Sequence, residues 1–186
     1  MKKILLLFGL ILILLSGCTV LPNHGGKDTI DPSELKAFLP PAIENYIIVD
    51  GYPEGDFAGW GTVAQSMFKR IKNVHSIIDY DGDVMVSIYD YKNVRVGDNY
   101  FKAVVPPTAE RKTFTFKDGT IADAYKMRRS GGYEYVVRVT NRTYIGIVIY
   151  TPLAPGDNED EIAKEYFKEM DYMGLRNLAL ARHNDE

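Results

Sequence analysis

Three aspartates around one glycine are the first residues of this chain to test as a metal site. Asp79, Asp81 and Asp83 flank Gly82. Calcium takes roughly six to eight oxygen ligands, and its best-known loop has Gly at the sixth position and Glu at the twelfth. Counted from Asp79, Gly82 is fourth and the twelfth residue is Asp90, so the spacing does not fit. The Asp-Gly pair instead predicts a hairpin turn, and we expect no metal.

Histidine and nucleophile patterns also argue against an enzyme. His24, His75 and His183 are far apart, and no spacing typical of a zinc site occurs. The chain has no Gly-x-Ser-x-Gly elbow, P-loop or dinucleotide fingerprint. We therefore predict no catalytic residues, no cofactor and no enzymatic activity. The alternative is an enzyme whose site is assembled from distant parts of the chain.

The aromatic residues Tyr52, Phe57 and Trp60 are the strongest candidates for contact with a ligand or partner. They lie in a glycine-rich loop, residues 50–61. Trp and Tyr are enriched at the centres of protein interfaces. Two interpretations stay open, because Trp60 either forms part of a binding surface or packs in the core beneath the helix predicted to start at Thr62.

A second candidate is a tyrosine-rich face of the predicted sheet. Residue parity places several tyrosines on common faces, where the C-terminal helix is a candidate cover. The tyrosines concerned are Tyr89, Tyr91, Tyr133, Tyr135, Tyr144 and Tyr150.

The N-terminus has the pattern of an export signal. Lys2 and Lys3 precede an apolar run from Ile4 to Leu15, and Ser16-Gly17-Cys18 follows. Twelve helical residues span about 18 Å, too short for the roughly 30 Å hydrocarbon core of a bilayer. The stretch Leu15-Ser16-Gly17-Cys18 resembles the lipobox of a bacterial lipoprotein signal peptide. The alternative is an uncleaved anchor that continues past Cys18.

That resemblance implies a lipid anchor and a location in the cell envelope. In lipoproteins the Cys, here Cys18, receives a diacylglyceryl group and the leader, here residues 1–17, is removed. The mature chain is then exported and held at the membrane by lipid. Thr19 follows the Cys where an Asp tends to retain lipoproteins at the inner membrane, so the outer membrane is favoured if the source has two membranes. Residues 18–30 contain Gly and Pro and are predicted to form a flexible tether.

Composition limits the functional classes and the domain organisation that are possible for this chain. The chain has 186 residues, a formal net charge of −3 and a single Cys. A mildly acidic composition does not predict the basic surface with which proteins bind nucleic acid. Lipid on Cys18 would leave no thiol for a disulfide. We predict one globular domain at residues 31–182, followed by a polar tail at 183–186.

Hydrophobic periodicity predicts an α+β fold. Helices are predicted after Asp31-Pro32, over Thr62–Lys72 and after Asn158, with Gly174 breaking or capping the last one. Early strands are predicted at 42–49 and 74–80, and later ones at 83–91, 100–105, 112–117, 120–129, 133–140 and 143–151. Short connections make the sheet antiparallel and mostly a meander. The prediction is one sheet of about six to seven strands, with an N-terminal helix pair and a C-terminal helix packed over it.

This order of elements resembles the PsbP/Mog1-like group of small exported domains. The resemblance includes the Gly59-Trp60 segment before the first main helix and the closing helix, over residues 34–180. The group contains assembly and binding proteins and has no single chemistry. We predict a non-catalytic, lipid-anchored envelope protein whose domain binds a protein or a small ligand. A carrier or chaperone of lipids or lipoproteins, similar to LolA/LolB, is the alternative, and it requires a continuous apolar cavity.

Replacing Cys18 by Ala tests the lipid anchor. We expect cells to incorporate radiolabelled palmitate into the wild-type protein and not into Cys18→Ala, because the thiol is the attachment point. Mass spectrometry of the N-terminal peptide should show the added lipid mass only in the wild type. Thr19→Ala is the matched control and should still be labelled. Labelling of Cys18→Ala at the wild-type level would show that Cys18 is not the site.

Overall fold

The computed structural model describes residues 29–49, 54–57, 59–71 and 82–183, which form strands and helices around one sheet. The strands are β1 (Tyr46–Val49), β2 (Gly55–Asp56), β3 (Gly61–Arg70), β4 (Val84–Tyr91), β5 (Glu110–Thr115), β6 (Ile121–Arg129), β7 (Gly132–Arg138) and β8 (Thr143–Tyr150). The helices are α1 (Pro32–Lys36), α2 (Val94–Val104), α3 (Glu159–Lys168) and α4 (Tyr172–Arg182). Within these ranges no helix has the length and apolar character needed to cross a bilayer.

The described residues form eight strands of one sheet in the order β1-β3-β4-β8-β7-β6-β5, with β2 also paired to β3, and every pairing among them is antiparallel. The predicted α+β class and single antiparallel sheet are therefore confirmed, whereas the predicted number of strands was too low. Strands β5 to β8 form a meander that brings β8 back beside β4. The predicted strand 74–80 lies outside the described residues.

Both faces of the sheet carry helices. Face A contains Val84, Val86 and Ile88 of β4, and it packs against apolar side chains of α1, α3 and α4. Face B contains Tyr89 and Tyr91 of the same strand, and it packs against α2. Side chains alternate between the two sides of a strand, so each central strand contributes to two apolar clusters.

The helix predicted over Thr62–Lys72 is wrong, because Gly61–Arg70 forms strand β3. It pairs with β4 on one side and with β1 and β2 on the other. Its apolar residues are buried on both faces, Ala64 and Phe68 on face A and Val63 and Met67 on face B. A strand buried on both faces loses the alternation that identifies strands. The predicted N-terminal helix pair is therefore the single short helix α1.

The strand predicted at 100–105 is also wrong, since residues 100–104 belong to helix α2 and Val105 caps its C-terminal end. The Asn93 side chain accepts a hydrogen bond from the Val96 N–H at 3.0 Å and caps the helix. A Cβ at Gly97 would clash with the Asn141 carbonyl oxygen. Glycine here permits the close approach of α2 to the β7–β8 connection.

The predicted C-terminal helix consists of two helices with a break before Gly174. Asn158 caps α3 as predicted, by accepting from the Asp160 N–H at 2.8 Å. Asp171 caps α4 by accepting from the Gly174 N–H at 2.8 Å. Gly174 therefore lies in the first turn of α4 and does not end a helix.

The N-terminal end of the described chain is anchored in the core. Ile30 and Leu35 are fully buried and flank the N-cap residue Asp31, whose side chain accepts from the Ser33 N–H. An apolar residue before the cap that pairs with one at the fourth helical position is a hydrophobic staple. The tether was predicted to include Ile30, whereas this residue belongs to the folded domain.

The buried carboxylate of Asp90 joins both ends of the chain to the sheet. It accepts hydrogen bonds from the Ile30 N–H at 2.8 Å and from the Thr143 hydroxyl at 2.9 Å. Its Oδ2 also lies 3.2 Å from Nε2 of His183. In addition, the Thr62 hydroxyl donates to the Ile30 carbonyl at 2.7 Å. We call Asp90, Ile30, Thr143 and His183 the Asp90 cluster.

His183 was predicted to begin a polar tail, and this is wrong. Its side chain has no exposure to solvent, and its N–H donates to the Ala179 carbonyl at 3.0 Å. Leu175, Ala179 and His183 recur every four residues and so lie on one helical face. Residues 184–186 lie outside the described part of the chain.

We expect Asp90→Ala to lower the free energy of unfolding by about 3–5 kcal/mol, because it leaves buried donors without their acceptor. Urea unfolding of the mature protein measures this loss. Asp98→Ala is the matched control, since it removes a partly exposed carboxylate that accepts from Arg138 at 2.6 Å. Its cost should stay below about 1 kcal/mol. Equal costs for the two variants would show that the Asp90 cluster does not hold the fold together.

Candidate binding surface

The aromatic side chains of Phe57 and Trp60 lie in the turn between β2 and β3. Trp60 is 58% exposed and Phe57 is 38% exposed. The interpretation in which Trp60 fills the core beneath a helix is therefore wrong, since Trp60 lies in a turn and a strand follows it. Tyr52, the third residue of the predicted surface, lies outside the described residues. We call Phe57 and Trp60 the Trp60 turn.

Backbone hydrogen bonds fix the shape of the Trp60 turn. The Trp60 N–H donates to the Phe57 carbonyl at 2.9 Å, and the Trp60 carbonyl accepts from the Lys92 N–H at 2.9 Å. The Gly59 N–H donates to the Asp56 carboxylate at 2.8 Å. Gly59 has a φ of 73°, which glycine adopts without steric cost. The turn is thus joined to both β2 and the end of β4.

A continuous series of aromatic contacts supports the Trp60 turn from face B. Phe57 packs edge-on against Tyr89 with ring centroids 6.2 Å apart, and Tyr89 contacts Tyr100 at 5.7 Å. Edge-to-face and offset pairs add about 0.5–1.5 kcal/mol each beyond area burial. The contacts continue to further rings on α2, β4, β6 and β8. The complete ring ladder is Phe57, Tyr89, Tyr91, Tyr100, Tyr144, Phe101 and Tyr125.

The hydroxyl groups of Tyr91 and Tyr100 remain protonated at neutral pH. Burial raises the pKa of both well above the usual range of tyrosine. Neutral phenols can donate hydrogen bonds and avoid the cost of a buried charge. The ring ladder thus has an uncharged centre, and its outermost member, Phe57, belongs to the exposed Trp60 turn.

The predicted tyrosine-rich face is divided between the two sides of the sheet. Tyr133 and Tyr135 lie on face A together with Val137, whereas Tyr89, Tyr91 and the opposed Tyr144 belong to face B. The cover over the face B tyrosines is α2, which the sequence did not predict. Residue parity correctly places the tyrosines of one strand on the same face. Which helix covers that face depends on the tertiary structure.

A second cluster of polar side chains lies on face A at the start of α3. The Asp160 carboxylate accepts from Lys126 at 2.7 Å and from the Tyr135 hydroxyl at 2.6 Å, and it also pairs with Lys112 at 2.9 Å. Lys126 additionally donates to Glu159 at 2.9 Å. We call these five residues the Lys126 cluster. No local pattern in the sequence predicts this cluster, because its members come from four different elements.

The charges of the Lys126 cluster stabilise one another. Burial by itself would raise the pKa of Asp160, but hydrogen bonds from Lys126, Tyr135 and Lys112 outweigh burial and lower the pKa to about 2. Burial and the same carboxylate raise the pKa of Tyr135. At neutral pH the carboxylate is ionised and the phenol is protonated. Asp160 is therefore a weak proton acceptor, which is typical of a structural ion-pair network.

The Asp90 cluster contains a carboxylate beside an imidazole, a pair that also occurs in catalytic sites. Both side chains are inaccessible to solvent. The Thr143 hydroxyl donates to Asp90, not to His183, so it is not positioned as an activated nucleophile. Nδ1 of His183 is buried without a hydrogen-bond partner in the described part of the chain. This geometry supports the fold and provides no access for a substrate.

The aspartates considered for calcium give no metal centre in the described ranges. Asp79 and Asp81 lie outside these ranges. Asp83 is buried, and its carboxylate accepts from the Arg70 N–H at 3.0 Å. Among the described residues, no three or more His, Cys, Asp or Glu side chains are grouped so that they could hold a metal ion.

Comparison with known proteins gives no assignment. No protein-family model, no curated protein and no solved structure matches this chain. The Trp60 turn, with its exposure and rigid support, is therefore the best candidate for a binding surface.

We expect Asp160→Asn to lower the free energy of unfolding by about 2 kcal/mol at pH 6, because the ordinary pKa of 3.8 falls to about 2 in the folded protein. A lowered folded-state pKa stabilises the fold above pH 3.8, and this contribution is lost as the pH falls towards 2. The difference between wild type and variant, measured by urea unfolding, should therefore shrink from pH 4 to pH 2.

Glu165→Gln is the matched control for Asp160→Asn. Glu165 forms an exposed pair with Lys168 at 2.7 Å, and we expect its replacement to cost less than about 1 kcal/mol. A difference between Asp160→Asn and wild type that is constant from pH 6 to pH 2 would contradict the role assigned to the carboxylate.

Proposed function

We propose that this chain is a lipid-anchored protein of the cell envelope whose domain binds another envelope protein without catalysing a reaction. The proposed anchor is lipid on Cys18, after export and removal of residues 1–17. Ile30 is buried in the domain, so about twelve residues separate it from the lipid. A flexible segment of that length reaches roughly 20 Å, enough to hold the domain away from the bilayer surface.

The observation that carries this proposal is an exposed tryptophan in a hydrogen-bonded turn. Single exposed apolar residues are common on proteins, but the Trp60 N–H donates to the carbonyl of Phe57, whose ring belongs to the ring ladder. Trp and Tyr residues dominate the energetic centres of protein interfaces. A turn already fixed by hydrogen bonds loses little conformational entropy when it binds. These features favour the Trp60 turn as the contact with a protein partner.

The first alternative, a carrier of lipids or lipoproteins, has less support. A carrier requires an apolar cavity large enough to enclose acyl chains. Four pockets formed by described residues have volumes of about 300–380 Å³, and each includes charged side chains in its lining. The second alternative is an enzyme with an unrecognised site. The Lys126 cluster is its best candidate, but its carboxylate is fully engaged by donors.

Cross-linking in intact cells tests the proposal. The full-length lipidated protein is cross-linked and purified, and the attached molecules are identified by mass spectrometry. We expect one stoichiometric protein partner, and its yield should fall at least about tenfold in Trp60→Ala because interface hot spots contribute about 2 kcal/mol or more. The melting temperature should change by less than about 2 °C, since Trp60 is mainly exposed.

Ile71→Ala is the matched control for Trp60→Ala. Ile71 is also largely exposed, but it follows the opposite end of β3. We expect this variant to retain both the partner and the melting temperature. Retention of the partner by Trp60→Ala would exclude the Trp60 turn as the interface. Co-purification of lipid without a protein partner would replace the proposal by the carrier alternative.

A further inference from the structure

Two cations lie in the segment of chain that is hydrogen-bonded to the Trp60 turn. Lys92 directly follows β4, and its N–H donates to the Trp60 carbonyl at 2.9 Å. Arg95 lies three residues further on, in the first turn of α2. Both side chains are exposed, and neither has a hydrogen-bond or ion-pair partner among the described residues. Positive charge is therefore free to interact with a ligand of the Trp60 turn.

The charge of Arg95 does not stabilise the helix that carries it. The N-terminal turn of a helix has a partial positive charge, so a cation is disfavoured there, and α2 has no acidic residue in its first turn. By contrast, Lys164 and Lys168 on α3 each pair with a glutamate of the same helix. Lys92 and Arg95 can form ion pairs with a ligand without first breaking an existing pair.

The acidic residues of the same region do not cancel this charge. The Asp56 carboxylate accepts from the Gly59 N–H at 2.8 Å and so closes the turn. Glu54, the preceding acid, pairs with Lys36. Two free cations against the carboxylate of Asp56 leave a positive balance. We call the positively charged aromatic area the Lys92 surface, and its members are Phe57, Trp60, Lys92 and Arg95.

We propose that the Lys92 surface binds a segment of the partner protein in which an apolar side chain is flanked by carboxylates. This inference rests on the proposed function and names the chemistry of the partner. The apolar side chain packs against Trp60, and the carboxylates pair with Lys92 and Arg95. A turn held by hydrogen bonds presents these groups at little entropic cost. Ion pairs around an apolar contact add specificity and speed association.

An anionic bilayer is the other occupant with matching charge. The Ile30 carbonyl accepts from the Thr62 hydroxyl, two residues after Trp60, so the Lys92 surface lies near the start of the segment that leads back to Cys18. Sequence clusters that recognise anionic lipids contain about four to eight cations, however, and this surface has two free ones. The smaller charge fits a few carboxylates of one protein segment better than a lipid surface.

Trp60 is the single tryptophan of the chain, so its fluorescence reports on the Lys92 surface without a label. The probe is an octapeptide with a central Leu-Phe pair and three Glu on each side, and its control has Lys in place of every Glu. Both are titrated into the full chain in detergent. We expect the Glu peptide to shift the emission and to bind at least about tenfold more tightly than the Lys peptide. Added salt should reduce this difference.

Lys92→Glu combined with Arg95→Glu reverses the charge of the surface and keeps Trp60 as the reporter. We expect this double variant to bind the Glu peptide at least about tenfold more weakly than wild type and the Lys peptide more tightly. An acid in the first turn favours a helix, so the variant should fold. Lys117→Glu with Arg128→Glu is the matched control, because these exposed cations also lack partners among the described residues. Its affinity should stay within about threefold of wild type.

Several results would overturn this inference. They are equal affinity for the two peptides, no detectable binding to the wild type, and full binding of the Glu peptide by the folded Lys92→Glu, Arg95→Glu variant. An emission shift with phosphatidylglycerol vesicles but not with the Glu peptide would assign the surface to the bilayer. In the cellular cross-linking experiment, loss of the partner by Trp60→Ala but not by the double variant would reject the acidic segment and leave the proposed function intact.

Discussion

The structure depends on one buried carboxylate. A charge removed from water is tolerated only if hydrogen bonds replace its hydration, and Asp90 meets this requirement with groups from three distant parts of the chain. Ile30 precedes the first helix, Thr143 begins β8 and His183 ends α4. Satisfying Asp90 therefore requires that both ends of the domain meet the same end of strand β4. The hydrogen bond from the Ile30 N–H to Asp90 also fixes the position of Ile30 at the start of the domain.

The Trp60 turn and the surface between β5 and α3 lie on different parts of this frame. The Trp60 turn precedes β3, whereas the other surface adjoins β5, and β4, β8, β7 and β6 lie between them in the sheet. The chemistry of the surfaces differs as well. The turn presents exposed aromatic rings, whereas lysine and acidic side chains line the surface between β5 and α3.

The charged side chains at the start of α3 stabilise the domain by pairing with one another. Asp160 orders Lys126, Lys112 and Tyr135 at the start of α3, and this contact fixes the helix beside β5. The surface between β5 and α3 therefore shares Asp160 with the Lys126 cluster. Within the described residues, the polar groups of the Asp90 and Lys126 clusters thus support the fold.

The sequence by itself determined the α+β class, the antiparallel meander from β5 to β8 and the caps at Asp31 and Asn158, because turns and caps are local interactions. The lipid anchor on Cys18 is a sequence prediction that lies outside the described residues. Only the tertiary structure decided that β3 is a strand and α2 a helix, since β3 is buried on both faces and Gly97 serves a packing contact. It also exposed Trp60 and buried His183. Their burial is set by contacts with residues far away in the chain, which local periodicity does not record.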